Sequence, residues 1–463
     1  MAEIAVVGGG PAGLTVAWRA ARQGHDVMLL EAGEQLGGMA ASIEVGGQRV
    51  DLGSHRLHPA AAPHVLAALE GLLGDDLQVR TRHGRLHLRD RWIGFPLRTT
   101  ELVRRLPPSF AAASLRDTIT SPFRHPPDPG TSADTFAAVV DRGLGPTMLR
   151  EFYGPYARKL WGLPAEELSG ELARRRIAAS SPAAMVRKLL RGARSEGRTF
   201  LYPRLGYGQI VEVLADAAVA AGVRVEVGRQ VSFLAPGQQK VTVGVAAGPT
   251  IDAQHVVWTA PITSLIRCVG EAPQVVTDGA RQLRHRAMTL VYLVLAQDRY
   301  TEFDAHYVPD AHIAISRLSE PKNYRCGPDP HGTTVLCAEV PCAIGDEWWE
   351  AGPGEAGTRV ADELSRLGLP LAAPVDVAVH RLPAVYPIYD RGAVAALAEV
   401  DGWAQSLAGV TVLGRQGLFV ADNLHHVVDM GWSLADALTT DGAVDAARWA
   451  AERARFASFV VED

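Results

Sequence analysis

The stretch Ala5-Val6-Val7-Gly8-Gly9-Gly10-Pro11-Ala12-Gly13-Leu14 decides how the rest of the chain is read. The apolar run from Ile4 to Val7 predicts a strand covered on both faces, as in a parallel sheet. Gly8, Gly10 and Gly13 follow at G-x-G-x-x-G spacing, with Pro11 and Ala12 between them, and a helix-forming segment continues to about Gln23. Gly8 permits a tight turn, Gly10 lets backbone approach a pyrophosphate, and Gly13 lets the helix pack close on the strand. The free N–H groups and positive dipole end of the helix then face the phosphates. A second strand, His25 to Leu30, ends on Glu31, 18 residues after Gly13, the spacing of a carboxylate that accepts hydrogen bonds from a ribose. Alone the glycines would say little. With strand, helix, second strand and terminal acid in place they predict a dinucleotide site over a ligand-free glycine turn.

The chain has 463 residues, too many for one ordinary domain and enough for a large core. Its 47% hydrophobic and 21% charged residues are those of a globular protein. No apolar run reaches the roughly 18 residues of a membrane span. The first strand begins by Ile4, which leaves no room for a cleavable signal peptide, so we expect a cytoplasmic enzyme. Cys268, Cys326, Cys337 and Cys342 have no C-x-x-C spacing, so neither disulfides nor zinc is expected. A net charge of −5 argues against nucleic acid as a partner.

Further along, Ser42 to Asp51 reads as a hairpin around Gly46-Gly47, delivering the loop Gly53-Ser54-His55-Arg56-Leu57-His58. No third ligand is spaced to make that loop a metal site. Pro63 to Leu73 reads as a helix and Gln78 to Trp92 as a hairpin about His83-Gly84. Helical sequence runs to Phe123, and the proline-dense stretch Arg124 to Thr131 reads as a linker. Ser132 is placed to cap a helix. Leu149, Phe152, Tyr153, Tyr156 and Leu160 mark one helical face, and Pro164 with Glu166-Glu167 reads as another helix start. After residue 200 come a helix (Gln209 to Ala221) and strands at Val223–Val227, Val241–Val245 and His255–Thr259. Strands at Thr289–Leu295, Ile313–Arg317 and Thr334–Val340 follow. The last segment reads as a strand Gly417–Ala421 ending on Asp422, a loop through His425-His426, and a long helix after Gly431. An acid at that point, next to a helix start, is placed to face the bound dinucleotide.

Glu31 followed by Gly37-Gly38-Met39 resembles flavoproteins of the amine oxidase and mutase type, where backbone passes close to diphosphate and flavin. NAD enzymes usually continue straight into a helix there, so FAD is the expected cofactor. Five more stretches resemble the UDP-galactopyranose mutase branch of the group that also holds amine oxidases and protoporphyrinogen oxidase. They are Gly53 to His58, Ile93-Gly94-Phe95-Pro96-Leu97, Phe152 to Gly162 (Tyr-x-x-Lys-x-Trp-Gly), Ile315 to Lys322 (Arg-x-x-Glu-x-Lys), and Gly414-Arg415-Gln416-Gly417. Where the mutases carry Tyr-x-Tyr-Tyr-Asp-Met-Asp, this chain has Val420-Ala421-Asp422-Asn423-Leu424-His425, which leaves the substrate open.

The resemblance implies an α/β fold with a Rossmann-like (GR2-type) FAD-binding domain (1–77, 200–265, 405–463), a helical insertion (98–199) and a mixed or antiparallel sheet domain for substrate (78–97, 266–404). Expected at FAD, bound non-covalently, are Gly8, Gly10, Pro11, Ala12, Gly13, Glu31, Gly37, Gly38, Met39, Ser54, His55, Arg56, Val231, Gly414, Asp422 and Val428. His55 and Arg317 are the candidate catalytic residues, and Arg176, Arg317, Tyr386 and His425 the candidate substrate ligands. A plain ion pair between Arg317 and Glu320 is the simpler alternative for that arginine. The expected activity is on a nucleotide-linked sugar or related polar glycoside, by mutase-type or oxidoreductase chemistry, with NAD(P)H a possible reductant. The alternatives are oxidation of an amine, CH–OH or CH–CH bond in a small biosynthetic intermediate, for which Lys322 is a candidate water-holding lysine, and a non-catalytic escort protein of the same fold.

Overall fold

The strand Ala2–Val7 lies at the middle of a seven-stranded sheet. Val27–Leu30 and Ile251–Trp258 flank it in parallel, and Arg224–Glu226 adds in parallel outside Val27–Leu30. The far edge of Ile251–Trp258 is shared: residues 251–253 pair with Val241–Val245, while residues 256–258 pair in parallel with Val410–Val412. The central strands are covered on both faces, with Ile4, Val6, Leu29, Val256 and Val257 all fully buried, which is why they read as unbroken apolar runs. The computed structural model describes residues 2–95, 105–120, 124, 127–176, 199–237, 239–246 and 248–461. Pro96, Leu97, residues 125 and 126 of the proline-dense linker and residues 177–198 lie outside them.

A second seven-stranded sheet runs in the order Asp376–Pro387, His285–Leu295, Thr334–Cys342, Arg317–Ser319, Ala305–Tyr307, Gly84–Leu88 and Arg91–Phe95. It is antiparallel except where His306 pairs with Arg85. Helices Phe136–Leu144, Gly154–Trp161 and Gly170–Arg176 lie in the chain between the strands Arg91–Phe95 and Thr199–Pro203.

Several sequence expectations need correction. Gln78 to Trp92 is not one hairpin: Leu77–Thr81 pairs with Thr199–Pro203, and the hairpin joins Gly84–Leu88 to Arg91–Phe95. Its two turn residues, Arg89 and Asp90, have φ of 52° and 58°, the double left-handed geometry of a two-residue hairpin turn. Thr135, not Ser132, caps Phe136–Leu144 by accepting from the Ala138 N–H. No helix starts at Pro164, because the Ala165 and Leu168 carbonyls accept from Ala137 and Phe136. Residues 313–316 are not strand; pairing begins at Arg317. The apolar run Gly417 to Ala421 is a buried bend rather than a strand. Val410–Val412 already fills the sheet position, Gly414 turns the chain at φ 80°, and Phe419 sits at φ 53°. The long helix expected after Gly431 is two helices: Leu424–Asp436, which starts earlier and takes in His425 and His426, and Ala446–Phe456.

Candidate active site

The glycine loop has the geometry of a cradle. Gly8 has φ of 106°, and a Cβ there would stand 2.4 Å from Thr259 Oγ1. A Cβ on Gly13 would stand 2.0 Å from the Gly8 carbonyl oxygen, so the helix Pro11–Arg22 can lie on the loop only with glycine there. A Cβ on Gly10 would meet nothing within 4 Å. That open space lies at the N-terminus of a helix whose cap residue, Gly10, offers no side-chain acceptor. The Glu31 carboxylate accepts from the Gly9 and Gly33 amides at 2.7 Å each, and both oxygens keep a lone pair for ribose hydroxyls.

The other expected cofactor residues gather around this loop. The Gly37 amide donates to the Gly9 carbonyl at 2.8 Å, and a Cβ on Gly38 would come 3.6 Å from Gly10 Cα. A Cβ on Gly414 would press on Ala12 at 2.8 Å. Met39 Sδ lies 3.9 Å from Gln416 Nε2, beside that turn. Val428 is buried in the helix Leu424–Asp436, which packs on Pro11–Arg22. Val231 begins a strand two residues after Arg229, whose amide donates to the Glu31 carbonyl.

The loop after Asp51 faces the second sheet. Tyr202 Oη donates to the Asp51 carboxylate, which also accepts from Ser42 Oγ and the Tyr207 amide. His55 stacks on Tyr207, ring centroids 5.1 Å apart and planes 21° apart, and its Nε2–H donates to the Leu52 carbonyl at 3.0 Å. Burial pulls its pKa down, against the opposing pull of Asp51 and Glu339 nearby. Arg56 does not turn its guanidinium to the glycine loop. It donates to Tyr307 Oη at 2.8 Å and to Asp304 at 2.9 Å, and its carbonyl accepts from Tyr207 Oη at 3.4 Å.

Arg317 does not pair with Glu320. Its Nε and Nη2 donate to the two oxygens of Glu339 at 2.8 Å each, and against the pull of burial Glu339 holds the guanidinium firmly charged. Glu320 accepts instead from the Tyr300 and Thr301 amides and Thr334 Oγ1. Lys322 is structural, its ammonium donating to the Asp298, Pro330 and Thr333 carbonyls. Lys159, in the Tyr-x-x-Lys stretch, donates to the Val308 and Ile315 carbonyls at 2.6 and 3.0 Å; burial brings its pKa down to about 7.

A cluster of cations closes the site. The Arg176 guanidinium lies 5.5 Å from the Trp161 ring centroid and 5.4 Å from that of Tyr386. Its Nε is buried without a hydrogen-bond partner, and among the described residues no carboxylate pairs with it. Arg415 donates to the Asp422 and Val385 carbonyls; burial first, then Arg176, brings its pKa down to about 10. Burial pushes Asp422 up to about 6 against the pull of Arg175, Arg415 and Arg176, and its Oδ2 is buried and unpartnered. Arg175 is paired with Glu171 at 3.0 Å. His425, 3% exposed, lies 6.4 Å from the His58 ring and 4.1 Å from His426. Arg176, Tyr386 and Arg317 thus come together as expected, and Ser54 and Glu339 join them to the His55 loop. Glu339 and Tyr207 were not singled out from the sequence, and Arg415 only as part of the Gly414–Gly417 stretch; a lone acid inside the apolar run Thr334–Cys342 was the available sign for the first.

The profile of the flavin containing amine oxidoreductase family matches residues 11–453. The chain belongs to that family. It is an FAD-dependent enzyme, and the open Gly10 cradle, the Glu31 carboxylate and the unpartnered Asp422 oxygen fit that cofactor. Its fold is similar to that of reduced UDP-galactopyranose mutase, with a TM-score of 0.81 at 19% identity over 100% of both chains. Cyclohexylamine oxidase of Brevibacterium oxydans IH-35A superposes with a TM-score of 0.69 at 16% identity, over 94% of this chain and 98% of that one. Among curated sequences, carotenoid 3,4-desaturase of Haloarcula japonica is 53% identical over 51 residues, 11% of this chain and 10% of that protein. The chain therefore matches only about a tenth of that relative's length. No helix among the described residues is long and apolar enough to cross a membrane.

Proposed function

We propose that this flavoenzyme acts on a nucleotide-linked sugar or a related polar, anionic glycoside. The observation that carries this is Arg176, a guanidinium held between Trp161 and Tyr386 with no carboxylate paired to it among the described residues, beside the equally hemmed-in Arg415. Two cations with one opposing acid, Asp422, make a site for a diphosphate and repel an ammonium group. Against the amine oxidase alternative, Lys159 and Lys322 spend their ammonium groups on backbone carbonyls, and Lys240 pairs with Asp252. Bound FAD would supply a flavin able to act on an anomeric carbon or to accept a hydride. The chain's own part is to fix the phosphates with Arg176 and to set the sugar against Tyr386 and His55.

Substituting Arg176 tests the reading. Arg176→Ala should weaken nucleoside diphosphate binding by about 2–4 kcal/mol while FAD stays bound. Arg176→Lys should recover only part of it, since an ammonium cannot reproduce a planar fork stacked between two rings. Nucleotide affinity unchanged in Arg176→Ala, measured by calorimetry, would remove the support.

A further inference from the structure

Glu339 is the only acid in the strand Thr334–Cys342, and its side chain is 3% exposed. Three N–H groups converge on it. Two come from Arg317, directly opposite in the antiparallel register, at 2.8 Å each. The third is the Ser54 amide, at 2.6 Å, from the loop that carries His55. Gly53 lets that loop take the turn that brings Ser54 to Glu339: it has φ of 95°, which a side chain would strain.

A buried carboxylate with one partner would serve stability alone. This one has partners on two elements that the sequence assigns to opposite sides of the reaction, a loop expected at the flavin and an arginine expected at the substrate. We propose that Glu339 is a positioning residue that holds the His55 loop and Arg317 as one unit, and that its charge cancels the Arg317 charge where the flavin is bound. The proposal rests on flavin lying against the His55 loop and does not depend on the identity of the substrate.

The electrostatic consequence separates this role from a structural one. With Glu339 neutral, the Arg317 charge stands uncompensated and favours the electron-rich reduced flavin. With Arg317 neutral, the carboxylate disfavours it. The test uses the holoenzyme without substrate, at fixed pH, with bound FAD confirmed by its absorbance and the fold by circular dichroism. Glu339→Gln should raise the flavin midpoint potential, increasing the ratio of reduced to oxidised flavin at the wild-type midpoint by about tenfold. Arg317→Met should lower it, and the double variant should return towards wild type. Should Glu339→Gln not fold or not hold FAD, Arg317→Met against the double variant carries the same comparison. Potentials unchanged in the singles with FAD bound, or a double variant displaced further than either single, would overturn the proposal.

Discussion

Replacing Glu31 by alanine should cost most of the FAD affinity and little of the fold. In the structure the carboxylate already holds the Gly9 and Gly33 amides at 2.7 Å each, so it fixes the phosphate loop before any ribose hydroxyl arrives. A charge-assisted hydrogen bond of this kind is worth about 1.5–3 kcal/mol. Adding about 1 kcal/mol for ordering a loop left loose by the substitution gives about 2.5–4 kcal/mol, or roughly 70- to 900-fold in affinity. Glu31→Gln should fall between, because its amide nitrogen must face one of the two N–H donors and only one acceptor remains. The assay is fluorescence titration of deflavinated protein with FAD, with circular dichroism to confirm that secondary structure is retained. Wild-type affinity in Glu31→Ala, or affinity lost only together with the fold, would refute the reasoning.

Two further expectations follow from geometry and burial. Gly10→Ala should leave the apoprotein folded yet block FAD, since its Cβ projects into open cradle, whereas Gly13→Ala should destabilise the apoprotein itself through its 2.0 Å approach to the Gly8 oxygen; thermal melts of the two deflavinated variants distinguish them. Burial lowers His255, His285 and His426 to about 4 and His306 and His425 to about 3. The unfolded chain takes up these protons below about pH 6.5, so the stability they contribute is whole above that pH and is lost as pH falls towards 4. Asp422, raised to about 6, has the opposite sign between about pH 4 and 6 and offsets one histidine of the five. Unfolding temperatures should be level above about pH 6.5 and fall below it; a level profile down to pH 4.5 would contradict this.

The dinucleotide half of the molecule was legible because its signals are local. Gly8, Gly10, Gly13 and Glu31 lie within one strand–helix–strand unit, and each acts on backbone within the same short stretch. What the sequence hid depends on long-range pairing. Leu77–Thr81 finds its partner at Thr199–Pro203 across the whole helical insertion, so it was joined to the wrong neighbour. Arg317 was matched with Glu320, three residues on, because chain proximity is visible and cross-strand register is not; Glu339 lies opposite it only once the sheet forms. Gly417 to Ala421 misled for a different reason. Burial makes a sequence apolar whether the backbone is strand or bend, and these residues are buried in a bend.

Titration of the purified holoenzyme with UDP, dTDP and GDP, followed by the flavin absorbance and by calorimetry, tests the proposed substrate class most directly. Saturable binding of at least one nucleotide, with a perturbed flavin spectrum and no response to primary amines, is the expected result. No binding of any of the three, together with flavin reduction by an amine in the absence of oxygen, would contradict it and return the enzyme to the oxidase reading.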